Sequence, residues 1–97
     1  MMTKTQKKTL YRKAFDKWGM NAQFGMLIEE CAELIKASNK YMRKQSKDNV
    51  DSLVEGMANV EIMIDQFRNV LSWEILDIKV NEAKESKLER LNELLQK

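Results

Sequence analysis

The stretch NAQFGMLIEECAELIKASNKYMR, residues 21–43, decides the fold, because its apolar residues recur with the period of an α-helix. Asn21 suits the N-cap position, and basic residues such as Arg43 complement the helix dipole at the other end. We therefore predict an amphipathic helix from about Asn21 to about Arg43. Its apolar stripe consists of Phe24, Leu27, Ile28, Cys31, Leu34, Ile35 and Met42.

Three further segments have helical patterns on either side of this stretch. The first covers residues 4–17 and is ended by Gly19. The third covers residues 48–71, after a polar break at residues 45–47, and the fourth begins after Ser72 and continues to the C-terminus. These patterns predict an all-α protein, an antiparallel helical bundle of about four helices.

Composition supports a single helical domain over residues 1–97. The chain has 97 residues, no Pro and only three Gly, which leaves little of the turn chemistry that sheets need. A chain of this length buries a thin core, so we expect oligomerisation to complete the bundle.

Several classes of function are excluded by what the sequence lacks. His is absent, which removes His-based acid–base catalysis and His-ligated zinc, and the single Cys31 cannot form an internal disulfide. Any bound metal is therefore expected to have oxygen ligands, as Mg²⁺, Mn²⁺ and Ca²⁺ do. With neither an apolar run of membrane-spanning length nor a secretory signal, the expected location is cytoplasmic, without membrane attachment.

Charge does not favour a nucleic-acid partner. The chain carries 17 basic and 15 acidic residues, a net charge of +2. The first helix is basic through Lys4, Lys7, Lys8 and Arg12. Only Tyr11 offers a neighbouring ring for stacking, and no nucleic-acid-binding motif is present.

The segment LIEECAEL, residues 27–34, places three carboxylates within an apolar helix. Glu30 and Glu33 are neighbours on one face, whereas Glu29 points further outward, towards Lys36. Two adjacent carboxylates repel each other, and a divalent cation such as Mg²⁺ relieves that repulsion. The alternative is that these acids are simply solvated, with Glu29 paired locally to Lys36.

A second polar notch is predicted on the third helix. Gly56 and Asn59 occupy positions relative to their apolar stripe like those of Glu30 and Glu33. Two antiparallel helices packed through these edges would bring the notches face to face. A site with four acidic ligands would need a carboxylate at both positions of the third helix, and neither residue supplies one.

These blocks resemble those of the all-α MazG-like nucleotide pyrophosphohydrolases. EECAEL, residues 29–34, is similar to the family's Glu-Glu-x-x-Glu-Leu block, and EGMANVEIM, residues 55–63, resembles its Glu-Glu-x-x-Asp-Val block. The segment Lys17–Gly19, Gln23 and the stretch 87–91 add to the likeness. The resemblance implies a homodimer or homotetramer of helical bundles that hydrolyses nucleoside triphosphates to the monophosphate and pyrophosphate.

The resemblance also implies ligand positions. Glu30 and Glu33 match the first two of the four acids that hold Mg²⁺ in the family, with Mn²⁺ as an alternative. Gly56 stands where a glutamate is expected, and Asn59 stands where an aspartate is expected. Asn59 still offers a neutral carbonyl oxygen as a weaker ligand, whereas Gly56 offers no side chain.

Further roles follow from the same resemblance. We expect Glu29 or Glu55 to orient the attacking water as a base. The last helix supplies three cations that are candidates to bind the substrate phosphates: Lys84, Lys87 and Arg90. The alternative is that these cations form ion pairs with neighbouring glutamates of the same helix.

Two other hypotheses remain at the level of the sequence. One is a family member that has lost catalysis through Gly56 and Asn59 but still binds nucleotides or a protein partner. The other is a helical interaction module in which a stripe rich in the chain's seven Met residues packs on a partner helix.

Overall fold

The computed structural model of the chain describes residues 1–70 and 74–97, with Glu74 described by its backbone alone. Within these ranges the chain forms four α-helices and no strand, which confirms the all-α prediction. The predicted end of the third helix at Leu71 and the predicted cap at Ser72 lie outside the described residues. The helices are α1 (Lys4–Trp18), α2 (Met20–Arg43), α3 (Lys47–Val70) and α4 (Glu74–Leu95).

Local capping interactions define the start of α1 and its junction with α2. The Gln6 amide donates to Thr3 Oγ1 at 3.1 Å, and the Thr3 amide donates to Gln6 Oε1 at 2.8 Å, which together form a capping box. Gly19 has a φ of +86°, a conformation in which a side chain would be strained. It ends α1 as predicted and also caps α2, so the predicted N-cap at Asn21 is wrong.

The core of the molecule is the seam between α2 and α3. Contacts join residue 34 to residue 56, residue 24 to residue 67, and residue 40 to residue 49, so the two helices run antiparallel. On each helix, one series of buried and half-buried positions recurs in alternating steps of four and three, as in a coiled coil. They are Gln23, Leu27, Glu30, Leu34, Ala37 and Tyr41 on α2, and Asn49, Leu53, Gly56, Val60, Met63, Phe67 and Val70 on α3.

Two small residues, Ala37 and Gly56, are buried in this seam. A Cβ at position 56 would lie 3.3 Å from Leu34 Cδ1 and 3.4 Å from Leu34 Cα, which is tighter than ordinary van der Waals contact. Gly56 therefore lets the backbones of α2 and α3 approach closely. In the sequence, Gly56 stands out only because it supplies no ligand. In the fold, it forms part of the contact between α2 and α3.

The first helix packs on the end of this seam through aromatic side chains. Phe67 is buried and contacts two rings, Phe15 at a centroid distance of 5.2 Å with an edge-on geometry and Phe24 at 4.4 Å. Aromatic pairs of this kind stabilise a core in addition to the stabilisation from the apolar area that they bury. Trp18, at the end of α1, is 59% exposed.

The last helix is joined to α3 by a polar contact. Arg68 Nε donates to Asp77 Oδ1 at 2.7 Å, and Arg68 Nη2 also donates to Asn81. Every residue of α4 from Asn81 onwards is exposed. The radius of gyration is 16.3 Å, against about 13 Å for a compact domain of this length, so the single chain is extended.

Much of the predicted apolar stripe is not covered within one chain. On α2, Ile28, Ile35 and Met42 follow one another at intervals of seven residues and are 68%, 63% and 75% exposed. The sequence pattern included these residues in the core, and that expectation is wrong for the isolated chain. A similar uncovered set lies on the other helices: Val50, Val54, Met57 and Ile64 on α3, and Ile75, Ile78, Leu88, Leu91, Leu94 and Leu95 on α4.

None of the helices in the described ranges is long and apolar enough to cross a membrane.

Tyr11 and Asp65 link α1 to α3. The Tyr11 hydroxyl donates to Asp65 Oδ2 at 2.8 Å, and Asn69 Nδ2 donates to Asp65 Oδ1, also at 2.8 Å. Burial of Tyr11, its hydrogen bond to Asp65 and the negative charge of Asp65 together raise the pKa of the phenol to about 12. The folded state therefore favours the neutral phenol.

This pKa shift predicts a loss of stability at alkaline pH. The folded pKa of Tyr11 lies above the unfolded value of about 10, so its contribution is complete below pH 10 and is lost as the pH rises to about 12. Urea unfolding of the wild type and Tyr11→Phe across this range measures the effect. The unfolding free energy of the wild type should fall relative to that of Tyr11→Phe as the pH rises from 10 to 12, and an equal pH dependence in the two proteins would contradict the prediction.

Candidate functional site

An open cleft of about 300 Å³ lies along one side of the seam between α2 and α3. Both helices contribute charged or polar side chains to it. Its lining consists of Glu30, Glu33, Lys36, Ala37 and Lys40 from α2, and Ser52, Glu55, Gly56 and Asn59 from α3.

Helical spacing explains why these residues share one cleft. On α2, residues 30, 33, 37 and 40 are separated by three, four and three residues, so they lie along one face. On α3, residues 52, 56 and 59 have the same kind of spacing. Because the helices are antiparallel and meet at Leu34 and Gly56, these two faces border the same gap.

The close helix contact shapes the middle of the cleft. Gly56 carries no side chain, so the wall there is backbone, and the buried Ala37 forms part of the opposite wall. Glu30 is half-buried in the seam, whereas Glu33, Glu55 and Asn59 are exposed. The acidic groups of the cleft therefore remain in contact with water, which lowers the cost of holding several like charges near one another.

The cleft brings together most of the residues that the sequence singled out. Glu30 and Glu33 from α2 border the same space as Gly56 and Asn59 from α3. Glu55, one of the two predicted bases, also lines it. The ligand and base roles of these residues remain predictions.

Other predicted site residues lie elsewhere. Glu29 is exposed and does not line the cleft, so Glu55 is the one of the two predicted bases that borders it. The three cations of α4 are exposed and do not border the cleft. Lys84 lines a separate groove, with Tyr11 and Arg68 among its neighbours.

Three cleft residues were not identified as site residues from the sequence: Lys36, Lys40 and Ser52. Lys40 continues the spacing of Glu30, Glu33 and Ala37 along the face of α2, and this signal was present in the sequence. In the sequence, Lys36 was considered only as an alternative partner for Glu29. The rotation of α2 against α3 decides which edge of the α2 apolar stripe is covered. It therefore also decides which lysines of α2 reach the cleft.

The donor chemistry of the cleft suits a hard divalent cation. Carboxylate, amide and hydroxyl oxygens line it, and these are the donors that Mg²⁺ prefers. Across the described residues, however, no group of three or more acidic or Cys side chains converges closely enough to hold a metal ion. The described residues therefore provide no all-protein cage for a metal, and a Mg²⁺ held by Glu30 and Glu33 with water as its other ligands stays a prediction.

No known protein family model, curated protein or solved structure matches this chain. Any functional conclusion therefore rests on the chemistry of the cleft and on the resemblance of residues 29–34 and 55–63 to the two MazG-like blocks.

Proposed function

We propose that the chain is a magnesium-dependent nucleoside triphosphate pyrophosphohydrolase of the MazG-like kind, with a weakened metal motif. The observation that carries this proposal is the cleft, in which Glu30 and Glu33 of α2 border the same space as Glu55 and Asn59 of α3. These residues come from the two sequence blocks that resemble the family. An open, solvated cleft also suits a triphosphate, which is itself strongly hydrated.

The chain's own residues would divide the work as follows. Glu30 and Glu33 would hold Mg²⁺, with the carbonyl oxygen of Asn59 as a neutral third donor. When bound, the ion would offset phosphate charge and lower the pKa of a coordinated water. Glu55 would accept a proton from the water that attacks the phosphoanhydride, which releases pyrophosphate and leaves the nucleoside monophosphate.

A second candidate is a family member with impaired catalysis that still binds nucleotides or a protein partner. The favouring observation is that Gly56 is buried against Leu34 as a helix contact and supplies no carboxylate. Asn59 supplies an amide in place of an acid. Two negative charges that would balance a divalent cation are therefore absent from α3.

We also propose that the active form is a cytoplasmic homodimer or homotetramer. One chain leaves the apolar stripes of α2, α3 and α4 exposed and is more extended than a compact domain of its length. Ile28, Ile35 and Met42 form a repeat that matches the seven-residue period of helix pairing. A second copy would remove these side chains from water.

The metal site is tested by titrating Mg²⁺ into the protein by calorimetry. Glu30→Gln combined with Glu33→Gln should weaken Mg²⁺ binding by more than about tenfold, because even groups behind metal ligands cost that much when they are lost. Glu29→Gln is the matched control, since Glu29 is adjacent in sequence but outside the cleft. Pyrophosphate release from a panel of nucleotides then measures catalysis. Equal Mg²⁺ affinity in all three proteins would refute the site.

Restoring charge on α3 tests whether the helix pairing forms a metal site. Asn59→Asp adds one carboxylate to the cleft and should raise Mg²⁺ affinity by about 30-fold, since a unit charge next to a divalent ion is worth about 2 kcal/mol in water. Asn39→Asp is the control, because Asn39 is exposed on α2 outside the cleft.

The double change Gly56→Glu with Asn59→Asp rebuilds the full motif and should raise both affinity and activity. Leu34 must shift by a few tenths of an ångström to admit the new Cβ, so unfolding by urea is measured in parallel. If Asn59→Asp and the double variant both fold but bind Mg²⁺ no better than the wild type, the proposed pairing of the two helices around a metal is wrong.

Oligomerisation is tested by light scattering coupled to gel filtration. Ile28→Glu with Ile35→Glu places two charges on the exposed stripe of α2 and should shift the protein towards monomer. Asn39→Glu adds a charge to a polar exposed position of the same helix and should not change the mass. A monomeric wild type at all concentrations would contradict the proposal.

A further inference from the structure

The α2 wall of the candidate cleft has an acidic half and a basic half, and Glu55 of α3 lies near the middle of the cleft. Glu30 and Glu33 lie towards the start of α2, and Lys36 and Lys40 lie one to two turns further along the same helix. The register set by Leu34 and Gly56 places Ser52 of α3 at the lysine end and Asn59 at the glutamate end. Groups suited to a cation and groups suited to an anion are thus arranged in sequence along one gap.

The two cleft lysines are available to bind an anion. Two ion pairs occur among the described residues, Lys47–Asp51 and Arg68–Asp77, and neither involves a cleft residue. Both Lys36 and Lys40 are exposed, so their ammonium groups can move towards a ligand without breaking a buried contact. The candidate phosphate-binding cations of α4, by contrast, do not border the cleft.

The charge balance of the cleft depends on whether a divalent ion is bound. Its three carboxylates and two ammonium groups have a formal net charge of −1, so the ion-free cleft repels a phosphate. A bound Mg²⁺ changes this charge to +1. Without the two lysines the ion-loaded cleft would still be at −1, so the lysines decide whether loading makes the cleft attractive to an anion.

The spacing also suits a chain of linked phosphates. Glu33 and Lys40 are seven residues apart, which corresponds to about 10 Å along the helix, comparable with the length of a triphosphate. Lys36 lies between them, one turn from each. A polyphosphate whose first oxygens meet the ion at the glutamates would therefore extend past Lys36 towards Lys40 and Ser52.

We propose that Lys36, Lys40 and Ser52 form the phosphate-binding half of this cleft, which takes pyrophosphate or the polyphosphate of a nucleotide only after a divalent cation binds at Glu30 and Glu33. This inference rests on the proposed function, because it uses the same metal site. It replaces the α4 cations as the phosphate-binding groups within one chain. By linkage, pyrophosphate raises the affinity for Mg²⁺ by the factor with which Mg²⁺ raises the affinity for pyrophosphate.

Calorimetry with inorganic pyrophosphate tests the proposal without relying on catalysis. The wild type is titrated with Mg²⁺ alone, with pyrophosphate in the presence of a chelator, and with pyrophosphate under excess Mg²⁺. Binding of pyrophosphate is expected only under excess Mg²⁺. Lys36→Met with Lys40→Met should weaken it at least tenfold and leave the affinity for Mg²⁺ alone undiminished, because only positive charge is removed.

Two further variants separate this inference from a general charge effect. Lys84→Met with Lys87→Met removes the same charge from α4 and should leave pyrophosphate binding unchanged. Lys36→Arg with Lys40→Arg keeps the charge and should retain most of the affinity. Circular dichroism checks that each variant is folded, which is expected because all four lysines are exposed.

The outcomes are distinguishable. If the wild type binds Mg²⁺ and pyrophosphate but only the α4 variant weakens pyrophosphate binding, the inference is overturned and the proposed function stands. If pyrophosphate binds equally well with the chelator, the dependence on a cation is wrong. If the wild type binds no Mg²⁺ with or without pyrophosphate, the proposed function fails and this inference fails with it.

Discussion

The close contact between Gly56 of α3 and Leu34 of α2 is the constraint on which the rest of the structure depends. It fixes the register of the antiparallel pair, and the register determines which side chains meet across the seam. The same contact sets the width of the cleft, since its middle wall is the backbone of Gly56. A larger residue there would have to displace Leu34 by a few tenths of an ångström.

This contact gives a structural reason for the glycine at position 56, where the MazG-like pattern that the chain resembles has a glutamate. A glutamate at this position would supply a ligand but would also bring a Cβ within 3.3 Å of Leu34. Glycine gives up the ligand and permits the close approach. Glu55, one residue earlier, lines the cleft in its place, so the α3 side retains one carboxylate in a different position.

The fold of one chain is incomplete in a specific way. Polar contacts through Asp65 and Arg68 hold α1 and α4 to α3, while large apolar side chains on three helices remain in water. Hydrophobic burial is the main favourable term in folding. A chain of 97 residues buries little apolar surface, so apolar side chains left in water are costly to its stability. An assembly of copies, as proposed, would resolve this imbalance.

Local features of the sequence were enough to predict the helices. The bounds of α1, α2 and α3 came within a residue of the prediction wherever the structure describes them, because apolar periodicity and Gly19 act over a few residues. Angular spacing also indicated that Glu30 and Glu33 would share an edge of α2, and that Gly56 and Asn59 would share an edge of α3. These are properties of single helices and need no knowledge of packing.

Only the tertiary structure decided which half of each apolar stripe is buried and what else reaches the cleft. The stripe of α2 is wider than the seam, so its pattern could not show that Leu34 would be covered and Ile35 exposed. For the same reason Lys36 and Lys40 were not assigned to one space with Glu30. The physical cause is that an α-helix fixes the angles among its own side chains, whereas its rotation against a neighbour is set by close contacts such as the one at Gly56.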